Sequence, residues 1–553
     1  MNKRNIIVGI AVFFSVLLLG IVIYSNEGPQ NSLPNPSNTP TPTWPSFPNS
    51  KTIEVPEDYS TISLAVNASN AGDTILVKEG TYVESVTVDK SLIIRGENKE
   101  TTIVDGNNMG PTFLIKSDYV RITGFKIRNV ENPPPVSDSR ARLAGVHLLD
   151  AHGCDISENV AVNCGKGVWV YGGSGNTVSN NILSGNNYGI LIQSSTDNSV
   201  TGNNASNGWG GIWLDSSSGN KLRNNNMLNN ARSFGVSGGE LYQFVNDVDL
   251  SNMVNDKKVY YLLDEESLTI DPVSFPDLGA LVLVNCRDVT VQNLEMQNNY
   301  VGIHVIGAVN STVTHNAVGS NTVGIWLQFS SDCVISKNDV KQNTDCGVRV
   351  DGSNSILVLE NNVEQNEHES RLIMMLSSSN CTIAENTLEN RLYYTLSTGI
   401  YLESSNYTNI INNYQSGTDG TIYGIILKSS SNNLIQSNTF TNCVPGVWLR
   451  DGSNYNRVIG NSFSTERGSM GVALAKSYFN NLSENIIYNF SAGFELSNAE
   501  NNIIARNVVT SRDHAVKLFR FNNNTFEGNQ FLGSTNIWDM GADMGTPSTN
   551  IWK

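Results

Sequence analysis

Eleven residues stand two positions after a recurring glycine: His147, Trp169, Leu191, Trp213, Leu281, His304, Trp326, Arg349, Tyr401, Ile426 and Trp448. Four of the eleven are tryptophan, of eight in the whole chain. Rigid rings repeated at one outward register suit the apolar faces of sugars. Trp169, Trp213, Trp326, Tyr401, Trp448, His147 and His304 are therefore the candidate carbohydrate-binding residues, and polysaccharide or a cell-surface glycan is the candidate partner. The competing reading is that aromatic residues favour strands in any case and that an inserted loop covers them. Acidic residues lie beside the stripe at Asp150, Asp215, Asp351, Glu403 and Asp451. Glycoside hydrolysis needs two carboxylates about 5–9.5 Å apart. Neighbouring repeats could supply such a pair, which makes Asp150, Asp215, Asp351 and Glu403 the catalytic candidates.

The elements that must position these residues are short strands. The glycine recurs about every 22 residues, at Gly145, Gly167, Gly189 and Gly211, and again from Gly279 through Gly302, Gly324 and Gly347 to Gly493. One and three residues after it the chain is aliphatic (Val146 and Leu148, Val168 and Val170, Ile325 and Leu327), while the residue between varies. That alternation buries one side of a strand. A second inward position follows about eight residues later (Val178, Val200, Leu222, Val313), and a third near Leu183, Met227, Val318 and Val340. Three strands per turn with no helical pattern between them predict an all-β fold, a single right-handed parallel β-helix. Asn159, Asn181, Asn203, Asn225, Asn293, Asn316, Asn338, Asn361, Asn413, Asn438, Asn485 and Asn507 share one offset. Stacked about 4.8 Å apart, they predict a hydrogen-bonded ladder, a structural feature and not a binding site. A solenoid grows by adding turns, so this length needs only one domain.

The ends read differently. Residues 1–5 are a basic, cytoplasmic start, and residues 6–24 are apolar over about the length of a bilayer span. They predict a transmembrane anchor, with a cleaved signal peptide as the rival. Residues 25–50, rich in Pro, Ser, Thr and Asn, read as an extended stalk. The β-helix runs over residues 51–531, with a short cap helix from Ile62 to Ala68 closing its open end. Breaks in the period predict insertions at about 131–143, 231–278 and 366–398, and residues 532–553 read as a C-terminal cap. The net charge of −16 argues against nucleic acid as a partner. The anchor places the β-helix outside the cytoplasm, tethered to the membrane, as an expected monomer. Glycosylation sequons occur at Asn67, Asn204, Asn310, Asn406, Asn481 and Asn489, a pattern that such a composition also produces by chance.

These coils resemble the NosD-type β-helix proteins, the carbohydrate-binding and sugar-hydrolase repeat group. The sharper match is Val254-Asn255-Asp256-Lys257-Lys258-Val259-Tyr260-Tyr261-Leu262, followed by Leu281 to Cys286 and Val289-Thr290-Val291-Gln292-Asn293-Leu294. The segment from Val55 to Val88 is similar to the opening of many β-helix proteins. The resemblance covers about Lys51 to Phe531 and is specific for fold more than for activity. Of the motif set of β-helix pectin hydrolases only Asn343-Thr344-Asp345 is present, so whether the chain is an enzyme stays open. The resemblance also brings copper, because NosD is associated with maturation of a copper enzyme. Copper prefers clustered His, Cys or Met. The six histidines are spread, and the closest group (His147, Asp150, His152, Cys154) combines an outward residue with a ladder position. No metal ligand or cofactor is assigned. The resemblance also leaves two readings besides glycan binding or processing: a surface spacer or adhesin, and an accessory protein for copper-enzyme maturation. Most of the seven cysteines look like small buried residues, though Cys154–Cys164 or Cys333–Cys346 could bridge.

Overall fold

The computed structural model describes residues 44–129, 143–365, 370–391, 397–418, 422–519, 523–533, 537–539 and 549–553. The expected anchor, most of the stalk, and all but one residue of the expected insertion at 131–143 lie outside them. Among the described residues no helix is long and apolar enough to cross a membrane. The one α-helix described is Ile62–Ala68. Thr61 Oγ1 accepts from the Leu64 amide, and the Glu84 carboxylate accepts from the amides of Ile62 and Ser63 at 2.9 Å each. These bonds satisfy N–H groups that a helix start leaves open. Ile62, Ala65 and Val66 then enter the first apolar core, as a cap requires.

The rest is a right-handed parallel β-solenoid. Equivalent residues of successive coils pair directly, as in Val168 with Ile190 and Ile190 with Ile212. Their side chains are buried, and those of the intervening residues point the other way. The asparagine row is a ladder. The Asn338 amide donates to Asn361 Oδ1 at 3.0 Å, and Asn338 Nδ2 donates to Val313 O at 2.9 Å and to Asn361 Oδ1 at 2.9 Å. A second asparagine row runs through Asn176, Asn198 and Asn220, and a serine row through Ser353, Ser378 and Ser405. Asn293 is not in the ladder. It is an exposed bend residue with φ 57°, and Leu294 takes the row, donating its amide to Asn316 Oδ1. All seven cysteines are free and buried, so neither candidate bridge forms.

The expectation of one continuous stack needs correction at 231–278. There the chain reverses in a hairpin, Met253–Val254 against Lys257–Leu263, the one antiparallel pairing among the described strands. A second stack then starts. Strand Leu278–Val284 is buried on both faces. Leu281 and Leu283 line the core of the second stack, which continues to Phe526. Ala280, Val282 and Val284, with Val259 and Tyr261 beside them, pack instead with Phe234, Val236, Phe244 and Val254 at the end of the first core. A side of the second stack therefore closes the open end of the first. The start of the second stack is covered in turn by Phe275 against Tyr260, at 5.1 Å, with Tyr260 Oη donating to Pro276 O.

The described residues of the break expected at 366–398 keep to the coil pattern. Within 366–398, the strands Arg371–Leu376, Thr382–Ala384 and Thr387–Asn390 form an ordinary coil. The described part of the tail adds strands: Ile537–Asp539 pairs with Val508–Phe519, and Ile551–Trp552 with Thr525–Glu527, Trp552 stacking on Phe526.

Candidate functional site

The stripe exists as two rows, one on each stack. In the first, His147, Trp169, Leu191 and Trp213 pair in sequence and the row ends at Gly235. In the second, Val282, His304, Trp326, Arg349, Met374, Tyr401, Ile426 and Trp448 pair in sequence. Leu281 is not in the row. In the pairing with Val301–Ile306, Leu281 faces the core residue Ile303 and Val282 faces His304, so Val282 takes the outward place and Leu281 the core.

Along the first row His147 stacks on Trp169, with centroids 4.1 Å apart and planes 6° apart, and Lys166 Nζ lies 4.2 Å from the Trp169 ring. His147 Nε2 and Trp169 Nε1 are buried without a hydrogen-bond partner among the described residues. Burial first, then the charge of Lys166, pushes the His147 ring down to about 4. Burial brings Lys166 down to about 8.

The second row is largely covered. His304 and Trp326 are 1% and 5% exposed, so they belong to no open groove. They stack on each other at 5.0 Å, and the Arg349 guanidinium lies 4.2 Å from the Trp326 ring. His304 Nε2 pairs with Gln328 Oε1 at 2.8 Å. Tyr401 and Trp448 are half-buried, each beneath an arginine, Arg371 at 5.3 Å and Arg450 at 4.6 Å.

Four of the five acidic residues beside the stripe are committed to neighbours. Asp215 accepts from Gln193 Nε2 at 2.9 Å and Ser237 Oγ at 2.8 Å. Asp351 accepts from Trp326 Nε1 at 3.0 Å and Arg349 Nε at 2.9 Å. Burial raises the Asp351 carboxyl above its ordinary value, against the pull of Arg349. Glu403 accepts from Tyr401 Oη at 2.8 Å and Lys428 Nζ at 2.7 Å, which hold it ionised below its usual range. Asp451 pairs with Arg450 at 2.9 Å. Asp150 is a bend residue with φ 50°.

The two rows meet at the junction, where aromatic side chains from both stacks converge. Trp213 lies against Tyr300 of the second stack, with centroids 3.9 Å apart. Trp209 is stacked near Trp213 at 6.1 Å, and Tyr188 meets both edge-on, at 5.1 and 5.6 Å. Trp209 is 39% exposed, while Tyr188, Trp213 and Tyr300 are half-buried. Gly235 makes the contact possible: a Cβ there would lie 3.0 Å from the Tyr300 Cβ and 3.4 Å from the Trp213 ring. Trp213 Nε1 donates to Ser237 Oγ at 3.0 Å, and Ser237 in turn donates to Asp215, so the indole is held from beneath. Arg232 ties the stacks beside it, donating to Thr322 Oγ1 at 2.7 Å and Thr344 Oγ1 at 3.1 Å. The Tyr300 hydroxyl is raised by burial, lowered by Arg349, and raised again by Asp345 and Asp215. The corner thus offers ring faces and edges with both charge signs close by.

Sequence reasoning found Trp213 but missed Tyr188, Trp209 and Tyr300. Trp209 and Tyr300 each stand two residues before a unit glycine (Gly211 and Gly302), a register that carried a usable signal. Among the described residues no group of three or more His, Cys, Asp or Glu lies together as a metal site.

A family model described as "Periplasmic copper-binding protein (NosD)" matches residues 66–261, 243–395, 342–471 and 464–553. No curated protein matches. Among solved structures, the Dettilon tailspike protein is 13% identical with TM-score 0.24, covering 74% of this chain and 66% of that one, just under two thirds. The DFA-IIIase of Arthrobacter chlorophenolicus without its lid is 13% identical with TM-score 0.29, covering 78% and 94%. A double mutant of the periplasmic alginate epimerase AlgG is 12% identical with TM-score 0.32, covering 74% and 76%. At these scores no activity is carried over from any of them.

Proposed function

The chain belongs to the NosD family, and from that premise we propose that it works outside the cytoplasm as a polysaccharide-binding protein whose site is the aromatic corner between its two stacks. The observation that carries this reading is the convergence of Tyr188, Trp209, Trp213 and Tyr300 from two separate stacks onto one partly exposed surface. Tyr188, Trp209 and Trp213 belong to neither stack's apolar core, while Tyr300 also packs on the outer cluster of Val301, Val323, Trp326, Cys346 and Met374. Binding is favoured over turnover. Acid–base cleavage of a glycoside needs two free carboxylates facing one bond, and Asp215, Asp351 and Glu403 are each occupied by hydrogen bonds or ion pairs. The family description supports placement outside the cytoplasm, and the apolar segment 6–24 is proposed to tether the chain there.

The copper in the family description finds no matching donor set among the described residues. His304 is buried on Gln328, His152 Nδ1 pairs with Ser174 Oγ, and burial raises the Cys154 and Cys164 thiols to about 12. Copper needs clustered thiolate or neutral imidazole donors, and these groups do not come together among the described residues. The spacer reading keeps one supporting observation: an asparagine ladder that runs unbroken from Asn316 to Asn507 would stiffen the second stack.

Affinity electrophoresis of the full chain through gels containing soluble polysaccharides tests the proposal. Retardation that Trp213→Ala weakens supports it. Retardation unchanged by Trp213→Ala and by Trp209→Ala removes the corner as the site.

A further inference from the structure

At one corner of the second stack each coil bends through a residue in the left-handed conformation. Six successive members are Ser355, Asn380, Tyr407, Asn432, Tyr455 and Phe479, with φ between 55° and 60°. They occupy one register, since each donates its amide to the residue before the next bend, as Tyr407 does to Ser431 O and Tyr455 to Tyr478 O. Serine and asparagine suit this conformation because a short polar side chain bonds locally. Large rings do not, and a bulky residue with positive φ is an outlier that calls for a reason. Burial is not that reason: Tyr407, Tyr455 and Phe479 are 59%, 57% and 49% exposed.

The rings are arranged. Tyr455 and Phe479 stack with centroids 5.1 Å apart and planes 6° apart. That separation is close to one coil rise, about 4.8 Å, so both planes lie across the stack axis. The free face of Tyr455 therefore looks along the row toward Asn432, and beyond it toward Tyr407, two coil rises or about 9.6 Å away. The residue between is exposed and carries a neutral amide. The flanking backbone amides of Ser431 and Tyr478 are already taken, by Asn406 Oδ1 and Asn454 Oδ1, both at 2.7 Å. An aromatic face beside an exposed neutral amide, with a second exposed tyrosine two coils away, matches a neutral hydroxylated ring, with its C–H face on the aromatic and its hydroxyls on the amide.

We propose that Tyr407, Asn432 and Tyr455 form a second glycan site, separate from the junction corner, that takes one neutral pyranose ring between the two tyrosines. The site goes beyond the corner reading and stands or falls apart from it.

The test is affinity electrophoresis of the full-length chain in detergent through mannan, dextran and hydroxyethylcellulose gels, in the Trp213→Ala background, where the corner is disabled. Residual retardation is expected in at least one gel. Tyr455→Ala should weaken it roughly tenfold, the scale of one lost aromatic contact. Asn432→Phe fills the place between the two tyrosines yet leaves the aromatic row complete, and it should abolish the retardation with an unchanged unfolding midpoint. No residual retardation in the Trp213→Ala background overturns the proposal and leaves the corner standing. Undiminished retardation with Asn432→Phe also overturns it, because the rings would then act as a flat ridge. A lowered midpoint with unchanged retardation in Tyr455→Ala would make the rings structural and likewise overturn it.

Discussion

Tyr300 lies against Trp213 with ring centroids 3.9 Å apart, although the two residues belong to different stacks. The contact is both a weld and the centre of the proposed site. A double-mutant cycle with Trp213→Ala and Tyr300→Ala separates the two roles. The coupling in urea unfolding should be about 0.5–1.5 kcal/mol, as for other aromatic pairs. Each single variant should lose polysaccharide retardation beyond what that destabilisation explains. A coupling near zero would mean that the rings pass each other without interacting.

The ladder predicts a position-dependent cost for one substitution. Asn338→Asp replaces a buried amide that donates to Val313 O and Asn361 Oδ1 with an acceptor, and sets like partial charges face to face. Stability at pH 7 should fall by about 3–5 kcal/mol. Asn293→Asp makes the same chemical change one residue outside the row, at an exposed bend that Asp tolerates. It should stay within about 0.5 kcal/mol. Equal effects at the two positions, measured by chemical denaturation, would contradict the assignment of Leu294 to the row.

Much of this was legible in the residues themselves. The glycine period, the inward aliphatic positions, the cap from Ile62 to Ala68 and most of the asparagine row follow from a repeat that every coil restates. The reversal at 231–278 was not, because the period resumes after it with the same strand chemistry. One signal was present: Leu281-Val282-Leu283-Val284 is apolar without alternation, as a strand buried on both faces must be. The corner was invisible for a related reason. Trp213 and Tyr300 are neighbours only because two stacks meet, and no single repeat contains both. Burial of His304 and Trp326 has the same origin in part, since Phe244 of the junction lies 5.9 Å from His304.

His304 gives the fold an acid-sensitive element. Burial first, then Arg349, lowers its ring to about 4, while the bond to Gln328 acts the other way. The unfolded chain takes up this proton near the ordinary value of 6.5, so between about 6.5 and 4 the unfolded state binds more protons. Stability is then full above pH 6.5 and is lost as pH falls toward 4, by about 3 kcal/mol for this one group. Asp351, whose carboxyl is raised by burial, works in the opposite sense at the acid end. In His304→Gln the slope of stability between pH 6.5 and 4 should be shallower than in the parent. An unchanged slope would show that the imidazole is not buried neutral.

The junction makes a prediction that one continuous solenoid would not. Leu281 and Val282 are adjacent and both buried, yet Leu281 packs in the second core and Val282 against the end of the first. Val282→Asp would bury an unpaired carboxylate at that seam, a cost of several kcal/mol that parting of the stacks relieves. Because a solenoid is stabilised coil by coil, the damage should be local. Hydrogen exchange should accelerate in strand Arg232–Ser237 and the hairpin around Met253–Lys258, while strands such as Val323–Gln328 keep their protection. Leu281→Asp should do the reverse, loosening the second stack at Ile303 and Val305 first. If both variants loosen the same coils to the same degree, the two cores are one, and the second stack does not serve as the cap of the first.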